Sequence, residues 1–172
     1  MSQVQQRGAL TVRLIGYASA ITVVLVGCVG LAGWIFNVTT LRTVVPGLAS
    51  MKENTAIALA LTGISMLLLN REPVFPGRLY AGRVAAGATL FVAAMALAEY
   101  ALGVDKPVFS QWISSAAPYA GRMSPPTAIS LALLSAALLL PTATWMRAWG
   151  ADALTVTGGS IGFVGLVGYL YS

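Results

Sequence analysis

The segment Met51-Lys-Glu-Asn-Thr-Ala-Ile-Ala-Leu-Ala-Leu61 returns as Met123-Ser-Pro-Pro-Thr-Ala-Ile-Ser-Leu-Ala-Leu133, 72 residues later (123 minus 51). Between 51–68 and 123–140, nine of eighteen positions are identical without a gap. The register carries into the next apolar segment, where Gly87, Phe91 and Val92 align with Gly159, Phe163 and Val164. A repeat that holds register across two segments makes the unit a pair of elements.

Composition says what kind of elements these are. The chain of 172 residues is 58% hydrophobic and 9% charged, with a mean hydropathy of +0.82. That leaves too little polar surface for a water-soluble domain of this size, so the expected class is an all-α integral membrane protein. A net charge of +5 in such a chain reads as interfacial anchoring and topology signal, not as a nucleic-acid surface. Cys28, the single cysteine, rules out an internal disulfide, and its apolar setting suits a small packed residue better than a reactive thiol. With no histidine anywhere, imidazole chemistry is excluded: no His-ligated haem, no Ser-His-Asp triad, no phosphoaccepting histidine. No metal-ligand cluster, phosphate loop or paired catalytic carboxylates stand out, so neither catalysis nor a cofactor is expected.

Five apolar segments predict about five transmembrane helices. Leu14 to Phe36 is a run of 23 residues without a charge, long enough to cross a bilayer and too long for a signal-peptide core. The others run from Thr55 to Leu69, from about Val84 to Gly103, from Pro126 to Leu140 and from Ala153 to Tyr171. The second and fourth are short and need extension, back to Met51 or Met123 or on past Pro141 to Trp145, to span; the alternative is a re-entrant or interfacial segment. One membrane domain, 1–172, then holds two copies of a two-helix repeat of 72 residues, at about 14–69 and 84–140, and a partial copy at 153–172. The pattern stops in mid-unit, which leads us to expect a missing sixth helix. With the N-terminus inside, Arg7, Arg13, Arg71, Arg78, Arg83 and Arg147 fall inside, against Arg42, Lys52, Lys106 and Arg122 outside. The bias follows the positive-inside rule weakly.

Glu99 is the one acid well inside an apolar run. Intramembrane carboxylates are costly and commonly functional, although an interfacial Glu paired with Arg122 or Lys106 explains this one more simply. Glycines mark close helix contacts: Gly27, Gly30 and Gly33 along the first span, Gly158 and Gly162 in the fifth. These serve packing within one chain or a homodimer. Met51 and Thr55, and their counterparts Met123 and Thr127, open the even helices, with the threonines suited to capping or the first turn. In the loop after Glu99, Val108, Phe109, Trp112 and Ile113 share one helical face suited to the membrane surface.

The sequence Glu99-Tyr-Ala-Leu-Gly-Val-Asp105, followed by Gly121-Arg-Met-Ser-Pro-Pro-Thr-Ala128, resembles the N-terminal multi-helix membrane region of bacterial PAS-containing sensor histidine kinases and related signalling proteins such as diguanylate cyclases. There an E-Y-x-x-G-x-D element leads into an outer loop and P-G-R-M-S-P-N-T-A opens the next helix. This chain departs at Ala120, Pro126 and Lys106-Pro107, while the first copy keeps the Asn as Asn54. The resemblance implies a non-catalytic sensory region in the bacterial inner membrane. It also implies a cytoplasmic output domain in cis and an outer polar site of Glu99, Tyr100, Asp105 and Arg122. Two other functions are compatible with the residues: an oligomeric or accessory subunit of a membrane complex, and a repeat-built transporter with Glu99 on its path.

Overall fold

The computed structural model describes residues 3–42, 51–70, 75–103, 123–140 and 145–170. All regular structure among them is helical: α1 (Gln3–Ile35), the single turn α2 (Thr39–Arg42), α3 (Glu53–Leu69), α4 (Pro76–Ala101), α5 (Pro125–Leu139) and α6 (Trp145–Leu170). Three stretches are long and apolar enough to cross a membrane: Leu10–Ile35, Pro76–Ala101 and Trp149–Gly168. The odd-numbered apolar runs thus belong to helices that extend past them. Helical hydrogen bonding continues through Arg7 and Arg13 in α1, and α4 opens eight residues before Val84, on Pro76 at its first position. Proline there loses no helical hydrogen bond and has its φ already set.

α3 has 17 residues and α5 has 15, or about 25 and 22 Å at ~1.5 Å per residue. Their ends are pinned against longer neighbours. Tyr17 donates its hydroxyl to the Asn70 carbonyl (3.4 Å) and Trp34 Nε1 donates to the Met51 carbonyl (2.9 Å), which sets α1 and α3 antiparallel. Ser65 to the Gly82 carbonyl (2.8 Å) does the same for α3 and α4, and Tyr100 to the Met123 carbonyl (3.0 Å) for α4 and α5. Helices adjacent in sequence pack on one another, and α3 also meets α5. α1 flanks α3 on one side and α6 flanks α5 on the other.

Small residues fill the interior. Of the twelve buried hydrophobic residues among those described, ten are alanine, the others being Met123 and Leu131, so the helix axes can come close. At the α1–α3 crossing, a Cβ built on Gly27 would lie 2.5 Å from the Ala60 nitrogen, and one on Gly63 would lie 2.8 Å from the Val24 nitrogen. Only glycine fits where backbones meet like this. Gly30 packs against Met51 and Ala56, and Gly33 is buried. Across the bundle, Gly158 meets the Ser130 carbonyl and Leu133, and Gly162 meets the Ser130 hydroxyl. Both glycine stripes are therefore used within one chain. Large apolar side chains point outward instead, among them Leu14, Leu25, Phe91, Phe163 and Leu166. Cys28 is exposed too, and so is not the small packed residue expected, because Gly27 takes the inward position beside it.

Hydroxyls inside the apolar helices are satisfied locally. Thr62, Thr89 and Ser135 bond the carbonyl four residues back, at 2.8, 3.1 and 2.6 Å, which spares a buried group its desolvation cost. Thr89 also reaches the Ala58 carbonyl (3.4 Å) and Thr62 (3.5 Å), tying α4 to α3.

Gly27→Ala should lower unfolding stability by about 1–3 kcal/mol, the cost of overpacking a site with no slack. Gly159→Ala, which meets nothing within 4 Å, should be neutral or slightly stabilising through helix propensity. Unfolding of both variants in mixed micelles, followed by circular dichroism, checks the contrast. Equal stabilities would contradict the crossing.

Candidate functional site: a clasp at the ends of α1 and α4

α1 and α4 terminate in the same way. Asn37 follows α1 with φ 55° and Gly103 follows α4 with φ 61°. In α1 the Val38 N–H reaches the Gly33 carbonyl (2.9 Å) and the Asn37 N–H reaches Trp34 (3.4 Å), the paired bonds of a Schellman ending. In α4 the Gly103 N–H bonds the Tyr100 carbonyl (3.4 Å) in the matching place. Counting back three residues from each left-handed residue gives Trp34 and Tyr100. These are the two aromatic donors that clasp Met51 and Met123.

The sequence alignment hides this correspondence. The donors lie 17 and 23 residues before their methionines, so the second connection is six residues longer. The helix ends therefore align at 66 (103 minus 37) while the methionines align at 72. At 66 the four residues of α1 described as buried, namely Ala20, Gly27, Gly30 and Gly33, fall on buried residues of α4: Ala86, Ala93, Ala96 and Glu99. At 72 the buried Ala56, Ala58, Gly63 and Ser65 of α3 fall on the buried Ala128, Ser130, Ser135 and Ala137 of α5.

Glu99 thus takes the place that Gly33 holds in α1. It is 5% exposed, on the last turn of α4 beside Tyr100. Met123 is fully buried and joins a cluster with Ala58, Ala93, Ala96, Ala128 and Leu131. Glu53, in the first turn of α3, has both carboxylate oxygens enclosed at this same end. Thr55 accepts a helix-start role through its N–H, which bonds Asn54 Oδ1 (2.9 Å), and the Thr127 hydroxyl pairs with Ser124 (2.7 Å). Both threonines sit in the first turn; Lys52 and Ser124 occupy the cap positions, neither with a side-chain capping bond. Asp105 and Arg122, with Lys106 and the apolar face from Val108 to Ile113, lie outside the described residues.

Among the described residues no three His, Cys, Asp or Glu side chains come together to hold a metal ion. What the clasp end brings together is a buried carboxylate, Glu99, and the neighbouring Tyr100 hydroxyl that joins α4 to α5. Sequence reasoning singled out Glu99 and Tyr100 but not Trp34, whose signal is its fixed distance from the residue ending α1. It also missed Arg78, whose Nη2 donates to the Leu67 and Leu68 carbonyls (both 3.3 Å) at the C-terminus of α3.

The fold defines an all-helical protein with three helices suited to crossing a membrane. Comparison with protein-family models, with curated proteins and with solved structures found no match.

Tyr100→Phe removes only the hydroxyl and should cost about 0.5–1.5 kcal/mol, the net worth of one hydrogen bond. Trp34→Phe should cost at least as much, because it also removes packed surface. Melting of each variant against the parent protein measures both losses, and no loss in either would mean that the clasps do not hold the helices.

Proposed function

We propose that this chain is the membrane-embedded input region of a bacterial signal-transduction protein of the sensor-kinase type, itself without catalysis. All five long helices cross the inner membrane as a tandem two-helix repeat, with the N-terminus cytoplasmic. The lipid bilayer surrounds the bundle, and an output domain in cis takes up the signal. The observation that carries the reading is the Tyr100–Met123 hydrogen bond. It joins the Glu-Tyr half of the signalling-protein motif to its Met-Ser-Pro half, beside the buried Glu99.

The interior of small residues and the outward large ones favour a bilayer as the solvent. Lipid offers no hydrophobic drive between helices, so association rests on close backbone packing and on polar bonds between helices. The Gly27–Gly63 crossing supplies the first, and the Thr62–Thr89 and Ser65–Gly82 bonds between α3 and α4 supply the second. The shared endings and coincident burial of α1 with α4 support the repeat. In such a module a stimulus acts by favouring one packing over another. Glu99 and Tyr100 are the residues through which an outer-face stimulus would bias the α4–α5 junction, with Asp105 and Arg122 as further members of that site.

A second reading, an oligomeric or accessory subunit of a membrane complex, is favoured by α6. Its only buried described residue is Gly158, and Val156, Phe163, Val164 and Leu166 face outward. A stable multimer in detergent that lacks any output domain would bring that reading forward.

With the chain joined through a further membrane helix to a cytoplasmic reporter kinase, Glu99→Gln and Tyr100→Phe should each shift basal output about fivefold, the effect of ~1 kcal/mol on a two-state equilibrium. Gly87→Ala, which faces open space, should leave output unchanged. Equal output from all the variants would contradict the input role.

A further inference from the structure

At the end of the bundle opposite the clasps, a groove of about 570 Å³ opens between α1, the C-terminus of α3 and the start of α4. Tyr17, Ile21, Leu67, Leu68, Phe75 and Arg78 line it. Ile21 and Phe75 are exposed on its rim, so its apolar part is open to the surroundings of the bundle. Its polar part is dominated by one guanidinium.

Arg78 is half-buried, and its position is imposed by the fold. The Leu67 and Leu68 carbonyls belong to the last turn of α3, where carbonyls have no helical partner and carry the negative end of the helix dipole. Arg78 Nη2 satisfies both. A guanidinium has five N–H donors, and Nε and Nη1 make no bond to any described residue. Those two bonds hold Nη2 against the end of α3, beside the apolar residues that line the groove.

We propose that this groove binds an anionic phospholipid, with the headgroup phosphate on Arg78 and an acyl chain along Ile21, Leu67, Leu68 and Phe75. The proposal rests on the membrane reading above. A planar guanidinium matches phosphate oxygens in pairs, and an apolar trough beside it suits a ligand that is anionic at one end and hydrocarbon at the other. Local charge agrees. α1 and α4 bring Arg13 and Arg83 to the same end. The acid among the described residues there, Asp152, is on α6, which packs on the far side of α5. Basic pockets between membrane helices on the cytoplasmic side are suited to anionic headgroups, and the positive-inside bias puts this end there.

The test is native mass spectrometry of the protein released from nanodiscs holding equal amounts of phosphatidylglycerol and phosphatidylcholine. The parent protein should retain phosphatidylglycerol in preference, and Arg78→Gln should lower that preference about tenfold. Lys52→Gln, which removes one positive charge at the opposite end of the bundle, should leave it unchanged. Because Arg78→Gln also uncaps α3, Ile21→Trp serves as a second variant. It fills the trough, leaves the Arg78 bonds to α3 intact and should reduce phosphatidylglycerol retention as well. Equal retention of the two lipids by an inserted protein, or a preference unaltered by both Arg78→Gln and Ile21→Trp, would overturn the site alone. So would displacement of the lipid by inorganic phosphate, which would mean that the trough contributes nothing. A protein that fails to enter nanodiscs would contradict the membrane reading itself.

Discussion

Backbone against backbone at the α1–α3 crossing is the contact on which the rest of this arrangement depends. Gly27 and Gly63 leave no room for a Cβ, and that proximity sets the register along the whole hairpin. With the crossing in place, Trp34 comes level with Met51 at one end and Tyr17 level with Asn70 at the other. The length of α3 then follows from the segment of α1 it faces rather than from its own apolar run. A bulkier residue at either glycine would separate the helices and take both end bonds out of reach.

The same construction recurs between α4 and α5 with different residues. Alanines replace the glycines, Ala93 and Ala96 standing where α1 has Gly27 and Gly30, and tyrosine replaces tryptophan as the donor to a methionine carbonyl. The crossing is looser, and the Met123 side chain is drawn fully inside. The sharpest substitution is Glu99 for Gly33, a carboxylate placed in a buried position that the first hairpin fills with hydrogen. That exchange distinguishes the two hairpins, and it is why the proposed sensing site is put on the second of them.

Much of the fold was legible in the residues. Long charge-free runs dictate helices, and the Met-x-x-x-Thr-Ala repeat marks where α3 and α5 begin to within two residues. The glycine stripes point to close contacts because small residues let helix backbones approach, and at Gly27 a Cβ would meet the Ala60 backbone. Helix ends were harder to read. α1 and α6 continue beyond their apolar runs because backbone hydrogen bonding is indifferent to a few charges. The correspondence of Trp34 with Tyr100 was invisible because six extra residues in the second connection shift the odd helices out of the register of the even ones. Arg78 was read only as a topology charge, since nothing in its sequence neighbourhood shows that α3 ends beside it. At the site, Glu99 stood out because a carboxylate in an apolar run is costly, whereas its partnership with the clasp needed the geometry of two helix ends.

The central claim is that successive long helices run in alternate directions across a membrane, with the clasps on the outer side and Arg78 on the inner. Single cysteines in a Cys28→Ser background, at the exposed positions Phe36, Leu102 and Phe75, test it in intact cells with a membrane-impermeant maleimide. Phe36→Cys and Leu102→Cys should label from outside, and Phe75→Cys only after the membrane is opened. Labelling of Phe75→Cys together with either of the others in intact cells would contradict the account.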